Sequence, residues 1–404
     1  MVKEVEQYIL DNDKGRYSRD EFDAYCKKEK LVLSSPVIHI TGSNGKGSTA
    51  SFLAHIYIKA GYKVGSFIKP AFYEVNECIR INGKTIPDEK LAELFHKEEK
   101  AFRKYGLSAF EATVALAYRY FEEEKPDILI IECGMGGETD ATNIVNLPTV
   151  LSIITSVSLE HTAYLGTTVS QIAYSKAGII KEEKPILVGK LEEAALEPIR
   201  DYAKDMDAPL YEVEDFHYPD RKEDGYHFEY RPYKDLVVPG LAYYQMTNAS
   251  LAIEATKILS SKYPVSEQAI REALMESQLP GRFERHGNII FDGAHNPEAS
   301  SALIRALSRA GLNKPIHILF AAMRDKNIAV MLPMLNRDAE SITLTTFPHY
   351  RARNEEDYFL YIGDYEYKED AKAALDELIQ TYPEDLILVT GSLAFVGFLR
   401  RFYQ

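Results

Sequence analysis

Short apolar segments alternate with longer amphipathic segments along the first two thirds of the chain. Apolar runs typical of buried strands lie at 37–40, 63–68, 127–133, 149–155 and 185–189. Between them, apolar residues recur at helical spacing over 88–105, 109–124 and 167–182. Alternation of strands and helices predicts a doubly wound parallel α/β sheet.

One stretch, 209–238, does not follow this alternation. It is rich in Tyr, Phe and Val around an Asp224-Gly225 turn signal. Such a pattern favours paired antiparallel strands, so we expect a small antiparallel β appendage here. Helical spacing returns over 243–260 and 267–277.

A second alternation follows the break signal Pro280-Gly281. Its predicted strands are 288–292, 315–320, 341–345 and 385–390, and its predicted helices are 297–310, 327–335, 368–381 and 392–402. We therefore predict an N-terminal domain over 1–280 and a smaller, Rossmann-like α/β domain over 281–404.

Composition narrows the function classes. The 404 residues are 46% hydrophobic and carry a net charge of −14, without the basic face that nucleic-acid binding requires. Cys26, Cys78 and Cys133 are scattered, which argues against a disulfide framework or zinc site and favours a reducing, cytoplasmic location. No apolar run is long enough to span a membrane, and the N-terminus has no signal-peptide pattern. We expect a monomer that binds small molecules.

The clearest chemical motif is TGSNGKGS at 41–48, between a predicted strand and a helix expected to begin near Ser48. Glycines allow several backbone N–H groups to point at one anion, and a helix N-terminus and Lys46 add positive charge. The usual phosphate loop would have Gly at Ile40 and Ser or Thr at Gly47. The alternative is a glycine-rich turn with an incidental lysine.

The spelling T-G-[ST]-N-G-K-G-S resembles the ATP loop of the folylpolyglutamate synthase and dihydrofolate synthase family, within the Mur ligase superfamily. In that family Gly follows the lysine. Further segments resemble the family's motifs in the same order: FEATVALAYRYF (110–121), IIECGMGGETDATN (130–143), SIITSVSLEHTAYLGTTVSQIAYSKAGIIK (152–181), YQMTNASLAI (244–253), PGRFE (280–284), DGAHNP (292–297), MRDKN (323–327) and TGSLAFVG (390–397).

The resemblance implies an ATP-dependent ligase that adds L-glutamate to a folate. ATP phosphorylates a carboxylate to an acyl phosphate, and the amine of glutamate then displaces phosphate. The implied cofactors are ATP and Mg²⁺, with K⁺ as a further candidate cation. The implied ATP-binding residues are Gly42, Ser43, Asn44, Gly45, Lys46, Gly47, Ser48, Asn248 on the adenine side, Arg282 from the hinge between the domains, and Asp292.

Three residues are metal ligands by resemblance. Glu132 ends a predicted strand beside the loop, which suits a Mg²⁺ ligand. His161, after a strand at the edge of the same predicted sheet, contacts a second Mg²⁺. Lys176 is carbamylated by CO₂ in this family, which converts a cation into a carboxylate. The alternatives are an exposed strand-end acid, a structural histidine and a surface helix lysine.

The implied glutamate and folate contacts are Lys69, Cys78, Asp292, His295 and Ser392. The implied catalytic residues are Lys46, Lys176, Asp292 and His295. As an alternative, Ser392 only caps the last helix.

Several positions depart from the family pattern: Lys69 replaces Ser, Ala71 replaces His, Cys78 replaces Arg, Glu138 replaces Arg, Glu160 replaces Asp and Ser175 replaces Glu. We hypothesise that Lys69 supplies positive charge directly to the phosphates. The motifs are shared with dihydrofolate synthase, so that activity or a bifunctional enzyme is a close alternative, and the departures at Lys69, Ala71 and Cys78 suggest a non-catalytic nucleotide- or folate-binding paralogue. A generic phosphate-loop kinase is a third alternative, but it would leave the second domain unexplained.

Overall fold

The computed structural model describes residues 2–12, 19–72, 74–277, 279–312 and 314–403. The chain forms two units. The first comprises 1–220, 227–238 and 245–277, and the second comprises 221–226, 239–244 and 278–404.

The first unit is built on a large sheet with the strand order β4-β3-β2-β5-β1-β6-β7-β8. Its strands are β1 (Val37–Thr41), β2 (Val64–Phe67), β3 (Ile79–Ile81), β4 (Lys84–Thr85), β5 (Ile128–Glu132), β6 (Thr149–Ile154), β7 (Ile186–Val188) and β8 (Leu210–Glu212). In the spatial order β2-β5-β1-β6-β7-β8, each strand is parallel to its neighbours. Strand β3 is antiparallel to both β2 and β4. The central strands β1 and β5 are buried along their whole length, as their continuous apolar runs predicted.

The helices of this unit are α1 (Val2–Asn12), α2 (Asp20–Lys28), α3 (Lys46–Lys59), α4 (Asp88–Tyr105), α5 (Ala109–Glu124), α6 (Thr162–Leu165), α7 (Val169–Ala177), α8 (Glu193–Asp205), α9 (Gln245–Ile258) and α10 (Glu267–Glu276). The predicted helix 167–182 is too long, because α7 ends at Ala177 and Gly178 begins a turn. The helix that follows β1, α3, begins at Lys46 rather than near Ser48, where the sequence predicted its start.

An aromatic cluster joins the N-terminal helices to the rest of the first unit. The ring of Phe102 on α4 lies 6.0 Å from Tyr8 of α1 and 5.6 Å from Tyr25 of α2. It also lies 6.3 Å from the ring of Phe95, about two helical turns earlier on α4. All four side chains are buried, so this cluster is what holds α1 and α2.

The irregular stretch contains a three-stranded sheet in the order β11-β10-β9, built from β9 (His217–Lys222), β10 (Gly225–Tyr230) and β11 (Tyr233–Val238). The expected appendage therefore exists, although it is shorter than 209–238 because β8 joins the large sheet.

The second unit has a sheet in the order β12-β13-β17-β14-β15-β16. Its strands are β12 (Glu284–His286), β13 (Ile289–Phe291), β14 (Ile316–Phe320), β15 (Ser341–Thr346), β16 (Glu366–Asp370) and β17 (Leu386–Thr390). Its helices are α11 (Pro297–Arg309), α12 (Ile328–Asn336), α13 (Ala371–Thr381) and α14 (Leu393–Arg400). Only β12 runs antiparallel among the strands described there.

One boundary in this unit was predicted wrongly. The helix expected over 368–381 begins at Ala371, because residues 366–370 form the edge strand β16. Asp370 then caps α13 by accepting hydrogen bonds from the backbone N–H groups of Lys372 and Ala373, at 2.9 and 3.0 Å. The α/β fold class itself is confirmed. Within the described ranges, no helix has the length and apolar character needed to cross a membrane.

We expect Phe102→Ala to destabilise the first unit by about 3–5 kcal/mol, because it leaves a cavity among rings that cannot collapse fully. Urea unfolding followed by tyrosine fluorescence measures this. Phe359→Ala is the matched control, since that ring is 76% exposed and its loss should change stability by less than about 0.5 kcal/mol. Equal effects of both variants would contradict the role given to the cluster.

Candidate functional site

The loop between β1 and α3 has the backbone geometry of an anion-binding loop. Gly45 has φ +86° and directly precedes the first helical residue, Lys46. The ammonium of Lys46 folds back over the loop and donates to the carbonyl oxygens of Gly42 at 2.7 Å and Ser43 at 3.3 Å. Ser48 is buried in the first turn of α3. The loop therefore brings a positive side chain and a helix N-terminus to one place.

The segment that follows β6 fixes the shape of this loop. Ser43 N–H donates to the carbonyl of Ser156 at 2.8 Å, and Asn44 N–H donates to the Ser156 hydroxyl at 2.9 Å. The Thr155 hydroxyl donates to the carbonyl of Asn44 at 2.6 Å. Thr155 and Ser156 were not among the residues predicted from the sequence. Their signal is a run of small hydroxyl residues at the carboxyl end of a strand.

Close neighbours explain the three glycines of the loop. A Cβ on Gly42 would lie 2.0 Å from Thr155 Oγ1, and one on Gly45 would lie 2.4 Å from Asn248 Oδ1. A Cβ on Gly47 would lie 3.3 Å from Glu132 Oε2. The loop thus packs directly against Asn248 of α9 and against Glu132.

Glu132 is the last residue of β5, beside β1 in register with Ile40, and is 5% exposed. Its Oε2 accepts a hydrogen bond from the backbone N–H of Lys69 at 2.9 Å. The strand therefore places a buried carboxylate at the loop, so the exposed-acid alternative does not describe Glu132. Asn248 is also buried and donates to Gln245 Oε1 at 2.8 Å.

Lys176 is buried on α7 with 1% of its side chain exposed, so the surface-lysine alternative is wrong. Its ammonium contacts Glu160 Oε1 at 2.8 Å. Burial lowers the pKa of Lys176, and Lys46 acts in the same direction. Burial would raise the pKa of Glu160, but Lys176 and Lys46 outweigh it and hold that pKa well below its usual range. The two lysines and Glu160 thus form one electrostatic group.

Glu160 was noted only as a departure from the family pattern, and its pairing with Lys176 was missed. Residues 16 positions apart in a loop and a helix leave no periodic signal in the sequence.

His161 lies next to Glu160 in the chain, with φ +46° at the start of α6. It follows β6, which lies inside the sheet between β1 and β7 rather than at its edge. The positive form of His161 contributes to lowering the pKa of Glu160, so its ring lies in the same electrostatic group.

The donor atoms partly fit a magnesium site. Glu132 offers carboxylate oxygen, which Mg²⁺ prefers, whereas a protonated Lys176 has no lone pair to offer. Across the ranges that the structure describes, no three His, Cys, Asp or Glu side chains form a group that could hold a metal. Mg²⁺ usually takes one or two protein carboxylates and completes its shell with water and substrate phosphates. Glu132 fits that arrangement, and Lys176 fits only as a carbamate.

The predicted substrate contacts Lys69 and Cys78 differ in position. Lys69 lies beside Glu132 through its backbone, and its ammonium lies 4.5 Å from the centroid of the Phe110 ring. Cys78 is buried in the main apolar cluster of the unit, and burial raises the pKa of its thiol to about 11. Cys78 is therefore a neutral packing residue, and its contact with substrate stays a prediction.

The second unit gathers its predicted residues at the carboxyl ends of the neighbouring strands β13 and β17. Asp292, just after β13, is buried and accepts hydrogen bonds from Phe283 N–H, Ala294 N–H and the Tyr244 hydroxyl. Burial raises the pKa of Asp292, while Tyr244 and Arg282 oppose that rise. The guanidinium of Arg282 lies over Gly293, whose added Cβ would be 2.9 Å from its Nη1.

His295 and Ser392 lie on the same edge of this sheet. His295 Nδ1 is 2.9 Å from the carbonyl of Gly293, so Nδ1 carries the proton and Nε2 has the lone pair in the neutral ring. Ser392 occupies the N-cap of α14 but makes no side-chain capping hydrogen bond, so the alternative of a simple cap is wrong. Gly391 N–H donates to the carbonyl of Ala294 at 3.1 Å, which joins the two loops.

Comparisons with known proteins identify two family domains in the chain. The family model "Mur ligase middle domain" matches residues 40–255, and "Mur ligase, glutamate ligase domain" matches residues 281–393. These ranges contain the two groups of site residues.

Curated relatives match over most of their length. The folylpolyglutamate synthase of Lacticaseibacillus casei is 32% identical over 90% of this chain and 89% of that protein. The dihydrofolate synthase/folylpolyglutamate synthase of Bacillus subtilis is 33% identical, with the same coverage of 90% and 89%. A solved structure of Escherichia coli FolC in complex with DHPP and ADP has a TM-score of 0.87 and 27% identity, and covers 98% of this chain and 97% of that chain.

The buried pair predicts a specific pattern of stability. Glu160→Gln or Lys176→Met alone should cost about 3–5 kcal/mol, because each leaves an uncompensated buried charge. The double variant should cost clearly less than the sum of the two, which a double-mutant cycle by urea unfolding measures. The exposed pair Lys97–Glu93 is the control, with an expected coupling below about 1 kcal/mol. Additive single effects would contradict the pairing.

Proposed function

The chain belongs to the folylpolyglutamate synthase and dihydrofolate synthase family of Mur ligases, and we propose that it adds L-glutamate to a folate at the expense of ATP. The proposal rests on the glycine-rich loop, which carries Lys46. At Gly47 this loop packs directly against the buried carboxylate of Glu132. Full-length relatives of this activity support the same conclusion.

The first unit would carry out phosphoryl transfer. Backbone N–H groups of the loop and the ammonium of Lys46 offset charge on the transferred phosphoryl group, and a preorganised loop needs little rearrangement to do so. The acceptor carboxylate attacks the γ-phosphorus, the bond to the β-phosphate oxygen breaks, and an acyl phosphate and ADP form. Binding of ADP by the E. coli relative supports a nucleotide at this loop.

Mg²⁺ would be held by Glu132 together with phosphate oxygens, where it supplies positive charge to the transferred group. His161 and a carbamylated Lys176 are the further ligands in this proposal. Burial lowers the pKa of Lys176, which increases the small share of neutral amine, the form that reacts with CO₂, although the ammonium paired with Glu160 remains the resting form. Water exclusion around Lys176 follows from its burial.

The second unit would bind the incoming glutamate. Asp292 offers a carboxylate to an ammonium or hydroxyl group, Arg282 offers a fork that fits phosphate or carboxylate, and Ser392 offers a hydroxyl without a capping partner. His295 Nε2 can accept a proton from the amine. The amine nitrogen then attacks the acyl carbon and inorganic phosphate leaves.

A second candidate is dihydrofolate synthase activity, alone or in addition. It is favoured by the B. subtilis relative, whose name joins both activities, and by the E. coli structure with DHPP. The residues described here serve either acceptor, because both reactions activate a carboxylate and join it to glutamate.

An acceptor panel tests the proposal. We expect phosphate release to require ATP, L-glutamate and a folate together, and to fall by at least about 100-fold in Lys46→Ala, because the loop loses its only side-chain cation at the transferred group. Dihydropteroate as the acceptor tests the second candidate. Release that does not need glutamate would indicate a kinase, and binding without release would indicate a non-catalytic paralogue. Lys257→Ala, on the surface of α9, is the control variant.

Lys69 has its own test. If its ammonium supplies charge to the phosphates, Lys69→Ser should lower kcat/KM for ATP about 10-fold and raise the Mg²⁺ concentration needed for half-maximal rate. Lys97→Ser, which removes a lysine that is 57% exposed, should change neither value. Unchanged ATP turnover and Mg²⁺ dependence in Lys69→Ser would assign the side chain to packing on Phe110 alone.

A further inference from the structure

Tyr244 ends the segment 239–244 of the second unit, and its hydroxyl donates a hydrogen bond of 2.6 Å to Asp292 Oδ2. The next residue, Gln245, begins α9 in the first unit. Tyr244 therefore attaches a segment at a crossing point of the chain to the carboxylate that follows β13. The segment 244–253 resembles the family motif H-Q-x-x-N-A-x-x-A, and Tyr244 stands where that motif has His.

The hydrogen bonds of Asp292 are divided unequally between its two oxygens. Oδ2 accepts from the Tyr244 hydroxyl at 2.6 Å and from Phe283 N–H at 2.9 Å, whereas Oδ1 accepts from Ala294 N–H at 2.9 Å. A carboxylate oxygen has about two acceptor positions. Among the described residues, Oδ2 is therefore saturated, and Oδ1 retains capacity for a substrate hydrogen.

The neighbouring tyrosine shows that this contact is specific. Tyr243 packs its ring edge-on against Tyr226 at 5.5 Å and under the guanidinium of Arg309 at 3.8 Å. Both tyrosines lie in the same short segment, but only Tyr244 reaches Asp292 in the part of the chain that the structure describes. Packing of the segment and orientation of Asp292 can thus be separated by experiment.

We propose that Tyr244 is a positioning residue: by occupying Asp292 Oδ2, it fixes the carboxylate so that Oδ1 faces the ammonium of the incoming glutamate. The proposal rests on the proposed function, since it assigns a partner to a residue of that site. Without the hydroxyl, Oδ2 would be held by Phe283 N–H and Oδ1 by Ala294 N–H, so the carboxylate would lose one of its three restraints and its second donor on Oδ2.

Loss of this hydrogen bond also changes the protonation of Asp292. A donor to the carboxylate stabilises its charged form, so removing the Tyr244 hydroxyl raises the pKa further above the value that burial already elevates. The other charged group that faces Asp292 is Arg282, which acts against this rise. The acid limb of the kcat/KM profile should consequently move to higher pH.

The test compares Tyr244→Phe, Tyr244→His and Tyr243→Phe with the wild-type protein. In Tyr244→Phe we expect kcat/KM for L-glutamate to fall about 10-fold, the usual effect of losing a hydrogen bond to a charged group. The KM for ATP should stay within about twofold. Tyr244→His should recover most of the loss, because imidazole can donate, and Tyr243→Phe should behave like wild type.

A second measurement does not depend on turnover. The carboxyl carbon of Asp292 can be followed by NMR in protein labelled with ¹³C-aspartate, with Asp292→Asn to assign its resonance. We expect its pKa to rise in Tyr244→Phe and to remain at the wild-type value in Tyr243→Phe.

The outcomes are distinguishable. A wild-type protein without glutamate-dependent phosphate release would contradict the proposed function. An active wild-type protein whose Tyr244→Phe variant keeps its kcat/KM for glutamate and its Asp292 pKa would contradict only the positioning role. Equal losses in Tyr244→Phe and Tyr243→Phe would assign both tyrosines to packing and would also overturn it.

Discussion

The close approach of the phosphate loop to Thr155, Asn248 and Glu132 is the constraint on which the first unit's site depends. At Gly42 and Gly45 a side chain would collide with its neighbour, and Gly45 also adopts a left-handed conformation. At Gly47, a Cβ would press on Glu132, so the Ser or Thr of the usual phosphate loop would crowd the carboxylate. The unusual glycine after Lys46 therefore leaves room for the carboxylate of Glu132 at the end of β5.

The fold was predictable where burial is complete and unpredictable where it is not. Strands β1, β5 and β17 are buried throughout, and their apolar runs marked them within one residue. The missed strands β4, β12 and β16 lie at sheet edges, and the missed strand β3 lies next to β4; exposed and partly exposed residues break the apolar pattern in all four. The local apolar pattern therefore predicts the central strands of each sheet and not the strands at or near its edges.

Motif spelling named the candidate site residues, but it did not show the contacts between them. The resemblance named Lys46, Glu132, Lys176 and Asp292, and the structure places each of them at a strand or helix end beside other predicted residues. The resemblance did not show that Lys176 is buried against Glu160, or that the Tyr244 hydroxyl donates to Asp292. Both contacts join residues that are far apart in the sequence, and in each contact one residue departs from the family pattern. No motif could therefore predict these contacts.

Four of the departures from the family pattern lie in two neighbouring pairs. Cys78 lacks the family's arginine, but Lys69 brings a positive charge close enough to influence the Cys78 thiol. The segments that carry them, just after β2 and just before β3, are joined by a hydrogen bond of 3.1 Å between Ile68 N–H and the Cys78 carbonyl. Glu138 N–H likewise donates to the carbonyl of Ser175 at 2.9 Å.

A glutamate at both 138 and 175 would place two acids on adjacent backbone positions, and Ser175 avoids that repulsion. At 69 and 78 the gained lysine replaces the charge of the lost arginine, whereas at 138 and 175 the loss of the family's Glu offsets only half of the change from Arg to Glu. Positive charge is thus retained around Lys69 and Cys78, although a different residue carries it than in the family pattern.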